Sequence, residues 1–187
     1  MVELLISISI FTVITAVSVF SYSGFNSSVL VTNLAYDIAL SVRQAQFYGI
    51  TVKQSGTNGF DSGYGVHFTR NSSSYVLFED VNANHLFDPS GDISLETYAI
   101  QKGNKVDRLC VVGTAIGCNF DSVDVSFVRP NPDTFVARFQ SGVQNGSVTD
   151  GYPVVICVSS PSGVDRKVTI EATGQISVST SAPECAS

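Results

Sequence analysis

Tryptophan is absent from the chain, methionine occurs once and histidine twice. Few side chains are therefore on hand for acid–base or redox chemistry, and His67 and His85 are not clustered with others of their kind. No Ser/His/Asp grouping, glycine-rich phosphate loop or haem-attachment motif is visible. The chain reads as something other than an enzyme. Charge is scarce as well: only 14% of the residues carry it, 10 basic against 16 acidic, for a formal net of −6. The basic residues are spread thinly, which gives no electrostatic footprint for gripping phosphates. What is plentiful is apolar: 44% of the 187 residues are hydrophobic, enough for one packed domain with an appendage and too much for a disordered polymer.

There is no Cys-x-x-Cys pair and no histidine placed to complete a zinc site. The four cysteines, Cys110, Cys118, Cys157 and Cys185, fit two disulfides better. Cys110 with Cys118 would close a short hairpin or loop, and Cys157 with Cys185 would tie the tail to a strand. In the loop-entropy account these contribute roughly 2–3 and 3–4 kcal/mol. Disulfides place the domain outside the reducing cytosol; four reduced, buried thiols in a cytosolic protein are the alternative.

From Val2 to Tyr22 the chain reads VELLISISIFTVITAVSVFSY, in which Glu3 is the sole charge. A helix of about 20 residues spans about 30 Å, the thickness of a bilayer's hydrocarbon. No Lys or Arg precedes this run, so it lacks the basic start of a signal peptide and is expected to be retained. An ordinary membrane anchor is the alternative, but a carboxylate at that place calls for a partner. After a softer stretch at Ser21 to Ser28, Leu30, Leu34, Ile38, Val42 and Ala45 recur at helical spacing, while Asn33, Asp37, Ser41 and Gln44 face elsewhere. One long helix is expected, apolar all round in residues 1–24 and one-sided in residues 25–53, closed by Gly49 and the run Gln54 to Gly59.

The opening MVELLISISIFTVITAV resembles the mature start of type IV pilins and pseudopilins. By that match Met1 corresponds to the family's third mature residue, so the true mature N-terminus is expected two residues upstream. The resemblance implies that Glu3 meets the N-terminal ammonium of a neighbouring subunit during assembly. It also implies a prepilin peptidase and inner-membrane assembly machinery as partners, a chain held in the cytoplasmic membrane before assembly, and a homo-oligomeric helical filament outside the cell afterwards. Charge pairing of that kind removes much of the cost of burying either group.

Residues 54–187 break into short alternating runs bounded by turn residues. Strands are predicted near Tyr64 to Thr69, Ser74 to Glu79, Ile93 to Ile100, Val123 to Arg129, Thr134 to Phe139, Pro153 to Ser159, Arg166 to Ala172 and Gln175 to Thr180. The fold class is α+β: a pilin-like long N-terminal helix on an antiparallel domain of two sheets, with Leu34, Ile38 and Val42 covering one sheet. Tyr64-Gly65-Val66-His67-Phe68 and the closing Lys167 to Ile176 are similar to the pseudopilin H and minor-pilin branch. Major filament subunit is the first expectation, with a minor pseudopilin of a type II secretion system or a DNA-uptake minor pilin as the alternative. Nucleic acid is an unfavoured partner, because the tail from Ser179 to Ser187 has no Arg or Lys and only Lys102, Lys105 and Arg108 lie scattered nearby.

Between the second and third strands, Asp80, Asn82, Asn84 and Asp88 alternate along a loop that Asp92 follows. With the Leu86 carbonyl, they offer hard oxygens at the spacing calcium takes. Two departures stand against this: His85 replaces the usual glycine, and Asp92 comes one residue late. The other reading is a polar turn held by Asx hydrogen bonds. His67 is expected to be a satisfied or exposed strand residue rather than a ligand. Asn71 and Asn145 open Asn-x-Ser triplets that permit surface glycosylation, as does Asn26, which lies in the helix and suits it least.

Overall fold

The computed structural model describes residues 2–51, 62–113, 116–118, 120–130, 133–146, 148–180 and 185, and at 19–25, 116, 149 and 150 the backbone alone. The predicted run Gln54 to Gly59 lies outside the described residues. One α-helix, α1 (Val2–Ile50, 49 residues), carries Glu3 in its first turn, where a carboxylate complements the positive end of the helix dipole. Its polar interruptions satisfy themselves. Ser7, Thr12, Thr15 and Ser18 donate to the carbonyls of Glu3, Ile8, Phe11 and Ile14 at 2.7–2.9 Å, one turn back. Ser9 does the same to Ile6. Among the described residues from Val2 to Ser18, these hydroxyls leave no unmet donor on a surface that is apolar apart from Glu3.

Twelve strands follow among the described residues. They are β1 (Gly63–Thr69), β2 (Ser74–Asp80), β3 (Ile93–Ala99), β4 (Lys105–Val112), β5 (Ile116–Gly117), β6 (Ser122–Phe127), β7 (Phe135–Gln140), β8 (Val143–Gln144), β9 (Thr149–Asp150), β10 (Val154–Ser159), β11 (Asp165–Ile170) and β12 (Ile176–Thr180). They form two antiparallel sheets. The first runs β3-β2-β1-β6-β7-β8, with β9 also paired to β7, and the second runs β12-β11-β10-β4-β5. An isolated bridge from Ser72 to Val106 joins the two sheets.

The second half of α1 lies over both sheets, on β1 and β6 of the first and on β10, β11 and β12 of the second. Val31, Leu34, Ala35, Ile38, Val42 and Ala45 are buried in one continuous core. From the first sheet it takes Val66, Phe68, Leu77, Val123, Val125 and Phe127, and from the second Leu109, Ile156, Val168 and Ile170. Polar ties fix the helix in place. The Arg166 guanidinium donates to Thr32 Oγ1 at 2.9 Å and Ser28 Oγ at 3.0 Å, and Gln46 Nε2 donates to the Gly174 carbonyl at 3.0 Å.

Three expectations are corrected. Ser41 faces the sheet, not solvent: it is buried, and its hydroxyl lies 3.1 Å from the Tyr75 hydroxyl. Gly49 sits inside the last helical turn, where a Cβ would come within 2.4 Å of the Phe127 carbonyl oxygen. Its lack of a side chain serves close packing, not chain reversal. The third is β4, a central strand absent from the predicted set. Its register slips between Cys157 and Val158, leaving Asp107 without an opposite residue. Such a bulge breaks the period-two alternation by which strands are recognised.

Candidate functional site

Two regions carry chemistry, the apolar half of α1 and the loop between β2 and β3. Along the first, Val2, Leu4, Leu5, Ile6, Ile8, Ile10, Phe11, Val13, Ile14 and Val17 are each 53–71% exposed. Whereas the core begins at Val31, none of these side chains contributes to it. An apolar surface this long, on all sides of a helix, is far beyond what a monomer keeps in water. Among the described residues no helix is both long and apolar enough to cross a membrane. The expected span to Tyr22 runs into positions 19–25, whose side chains lie outside the described residues.

In the loop, the oxygens turn inward to main-chain donors. Asp80, fully buried, accepts the N–H groups of Asn84 (3.2 Å) and His85 (2.8 Å). Asn82 accepts from Asn84, and Asn84 accepts from Leu86 at 2.8 Å. Asp92 takes the Val81 N–H on one oxygen and the Asp88 N–H on the other, at 3.0 and 2.7 Å. Asp88 is held by the hydroxyl and N–H of Ser90, bonds that pull its carboxyl below the ordinary aspartate range. Burial pushes the Asp92 carboxyl up, and the carboxylates of Asp80 and Asp88 add to the effect, against the pull of its two N–H donors. Both Ala83 and His85 adopt left-handed backbone, with φ of 56° and 64°. Histidine stands at a left-handed position that glycine would ordinarily fill.

As arranged, these side-chain oxygens accept main-chain N–H groups. Among the described residues no group of three or more His, Cys, Asp and Glu gathers closely enough to hold a metal ion. Of the expected set, Asp80, Asn82, Asn84, Asp88 and Asp92 build an Asx-bonded turn, which the Leu86 N–H joins by donating to Asn84.

The loop is also tied to the outer face of the first sheet. Phe87 packs against Phe78 and the His67 ring, with centroids 5.1 and 4.8 Å apart, while its N–H donates to Asp124 Oδ2 at 2.8 Å. The other oxygen of the fully buried Asp124 meets His67 Nδ1 at 2.5 Å, and His67 Nε2 lies 3.1 Å from Thr69 Oγ1. Carboxylate, imidazole and hydroxyl stand in a row. The second Asp124 oxygen is committed to the loop, so the row works as a pin. His85 stacks on Phe135 at 4.2 Å with the rings 7° from parallel. Both histidines thus clamp this loop, a pairing hidden in the sequence because Asp124 and Phe135 lie far along the chain.

The four cysteines pair as expected, Cys110 with Cys118 and Cys157 with Cys185. Cys110, Val155, Cys157 and Cys185 form a second small core on the outer face of the second sheet. Asn71 and Asn145 are exposed. Asn71 Oδ1 accepts Lys105 Nζ at 2.9 Å, and Asn145 Nδ2 donates to Gln140. The Lys105 ammonium is also paired with Asp107 at 2.9 Å, which leaves it little to offer a phosphate. No protein-family model matches the chain, and neither a curated protein nor a solved structure matches it.

Proposed function

We propose that the chain is a structural, non-catalytic subunit of a type IV pilus-like filament. It polymerises through the apolar half of α1 and displays the two-sheet domain outward. What carries this reading is the exposed apolar face from Val2 to Val17, appended to a domain whose own core is complete without it. Such a helix needs either lipid or neighbouring copies, and a filament core supplies the second after a membrane has supplied the first. The sequence VELLISISIFTVITAV adds the family resemblance, including Glu3 at the place where a carboxylate would meet a neighbour's N-terminal ammonium. Two disulfides suit a domain exposed to the medium.

The test uses cells that make the native, processed chain. Imaging should find surface filaments whose repeating density this chain fits. Glu3→Ala should still enter the membrane yet assemble poorly. Normal filament yield from that variant would remove the charge pairing, and substoichiometric incorporation would favour the minor-subunit reading.

A further inference from the structure

The second half of α1 has a face that the sheets do not cover. Tyr36, Leu40 and Phe47 are 59%, 68% and 63% exposed. At 100° per residue they fall with Arg43 within about 60° of one another, a single stripe along the helix. Arg43 is exposed in the middle of it and held by no partner among the described residues. Beside the stripe, between the helix and the end of β3, runs a groove of about 320 Å³. Its helix side is Leu34, Asp37, Leu40, Ser41 and Gln44, so Leu40 borders both groove and stripe, and its sheet side holds Tyr75 and Tyr98, stacked 4.9 Å apart. The Tyr98 hydroxyl lies 2.8 Å from Glu96 Oε2, so a second carboxylate stands at the rim. No Lys or Arg lines the groove.

Stripe and groove are complementary. One offers a guanidinium among exposed apolar side chains; the other offers aromatic rings and two carboxylates, the surroundings a guanidinium takes by stacking and hydrogen bonding together. We infer that the groove between α1 and β3 receives the Tyr36–Leu40–Arg43–Phe47 stripe of a second copy, with Arg43 meeting Asp37 beside Tyr98. In a filament the stripe of one copy meets the groove of the next, so the contact is heterologous and the series runs on instead of closing as a dimer. The inference rests on the filament reading and adds to it a contact outside the N-terminal half of the helix.

Paired cysteines in the full chain, assembled in surface filaments, test it. Positions 37 and 43 are about 9 Å apart in rise along the helix, too far for a disulfide within one chain. Under mild oxidation, Asp37→Cys with Arg43→Cys should therefore give a ladder of covalently linked chains, and each single variant none. Charge reversal provides the independent arm. Arg43→Glu and Asp37→Arg should each cut filament yield about tenfold, and the two together should restore it. Filaments that give no ladder and ignore the reversals overturn this contact alone, and a dimer from Arg43→Cys by itself overturns its heterologous character. A native chain that forms no filaments overturns both the contact and the filament reading.

Discussion

Gly49 is where the fold leaves least room. A methyl group there would stand 2.4 Å from the Phe127 carbonyl oxygen and 3.0 Å from its Cβ, so α1 could not stay seated on β6. Overpacking of this kind costs about 1–3 kcal/mol. We expect Gly49→Ala to lower the unfolding free energy of the chain in mild detergent by that amount, read as a lower denaturant midpoint, and an unchanged midpoint would mean the helix end is not pressed on the strand. A second prediction concerns Asp92. Burial raises its folded-state carboxyl above the ordinary 3.8, so over the interval between the two values the folded chain binds the proton that the unfolded chain releases. Asp92's ionisation therefore opposes folding at neutral pH. The opposition fades as pH falls through the folded value and is gone below the unfolded one. Wild type should gain stability relative to Asp92→Asn as the pH falls from neutral towards the unfolded value of 3.8. Parallel pH profiles would contradict the shift. Neither Gly49's contact nor the neighbours of Asp92 could be read from sequence, because each depends on how close two elements come.

Elements were legible where their periodicity was undisturbed. The spacing of Leu30, Leu34, Ile38, Val42 and Ala45 marks the buried helix face; the last four are buried and Leu30 is half-buried. Eight predicted strands correspond to observed ones, from Tyr64 in β1 to Thr180 in β12. β4 was lost because its bulge places Asp107 and Arg108 together between the inward-facing Val106 and Leu109, which reads as a charged turn. In the loop after β2, oxygen spacing alone does not say whether the acceptors face an ion or main-chain amides. Here they face amides, so the melting midpoint should be the same in calcium as in chelator. A rise with calcium would mean that the carboxylates regroup around the ion. The disulfides act on the second sheet. The Cys157–Cys185 bridge encloses a longer segment, separation 28 against 8 for Cys110–Cys118. Replacing Cys157 and Cys185 by serine should cost about 3–4 kcal/mol, against about 2–3 kcal/mol for the other pair. Denaturant unfolding of the two double variants orders them; the reverse order would show that strain or residual structure outweighs loop length.

At the scale of the whole molecule, the folded core and the apolar half of α1 are separable. The two sheets and the second half of α1 share one core that begins at Val31, and the apolar residues from Val2 to Val17 contribute nothing to it. A charge introduced in that first half should therefore spare the domain and spoil the surface. Ile10, 55% exposed, is a suitable position. Ile10→Lys should change the unfolding free energy of the chain in detergent by no more than about 0.5 kcal/mol, as at any surface site free of special contacts. In a bilayer or a filament core, the same ammonium near the middle of the apolar run costs about 2.5–3.5 kcal/mol on insertion scales. Filament yield should then fall more than tenfold while the melting midpoint holds. If midpoint and yield fall together, the N-terminal half is part of the fold. If neither falls, that half is not an assembly surface, and the apolar face from Val2 to Val17 would need another occupant.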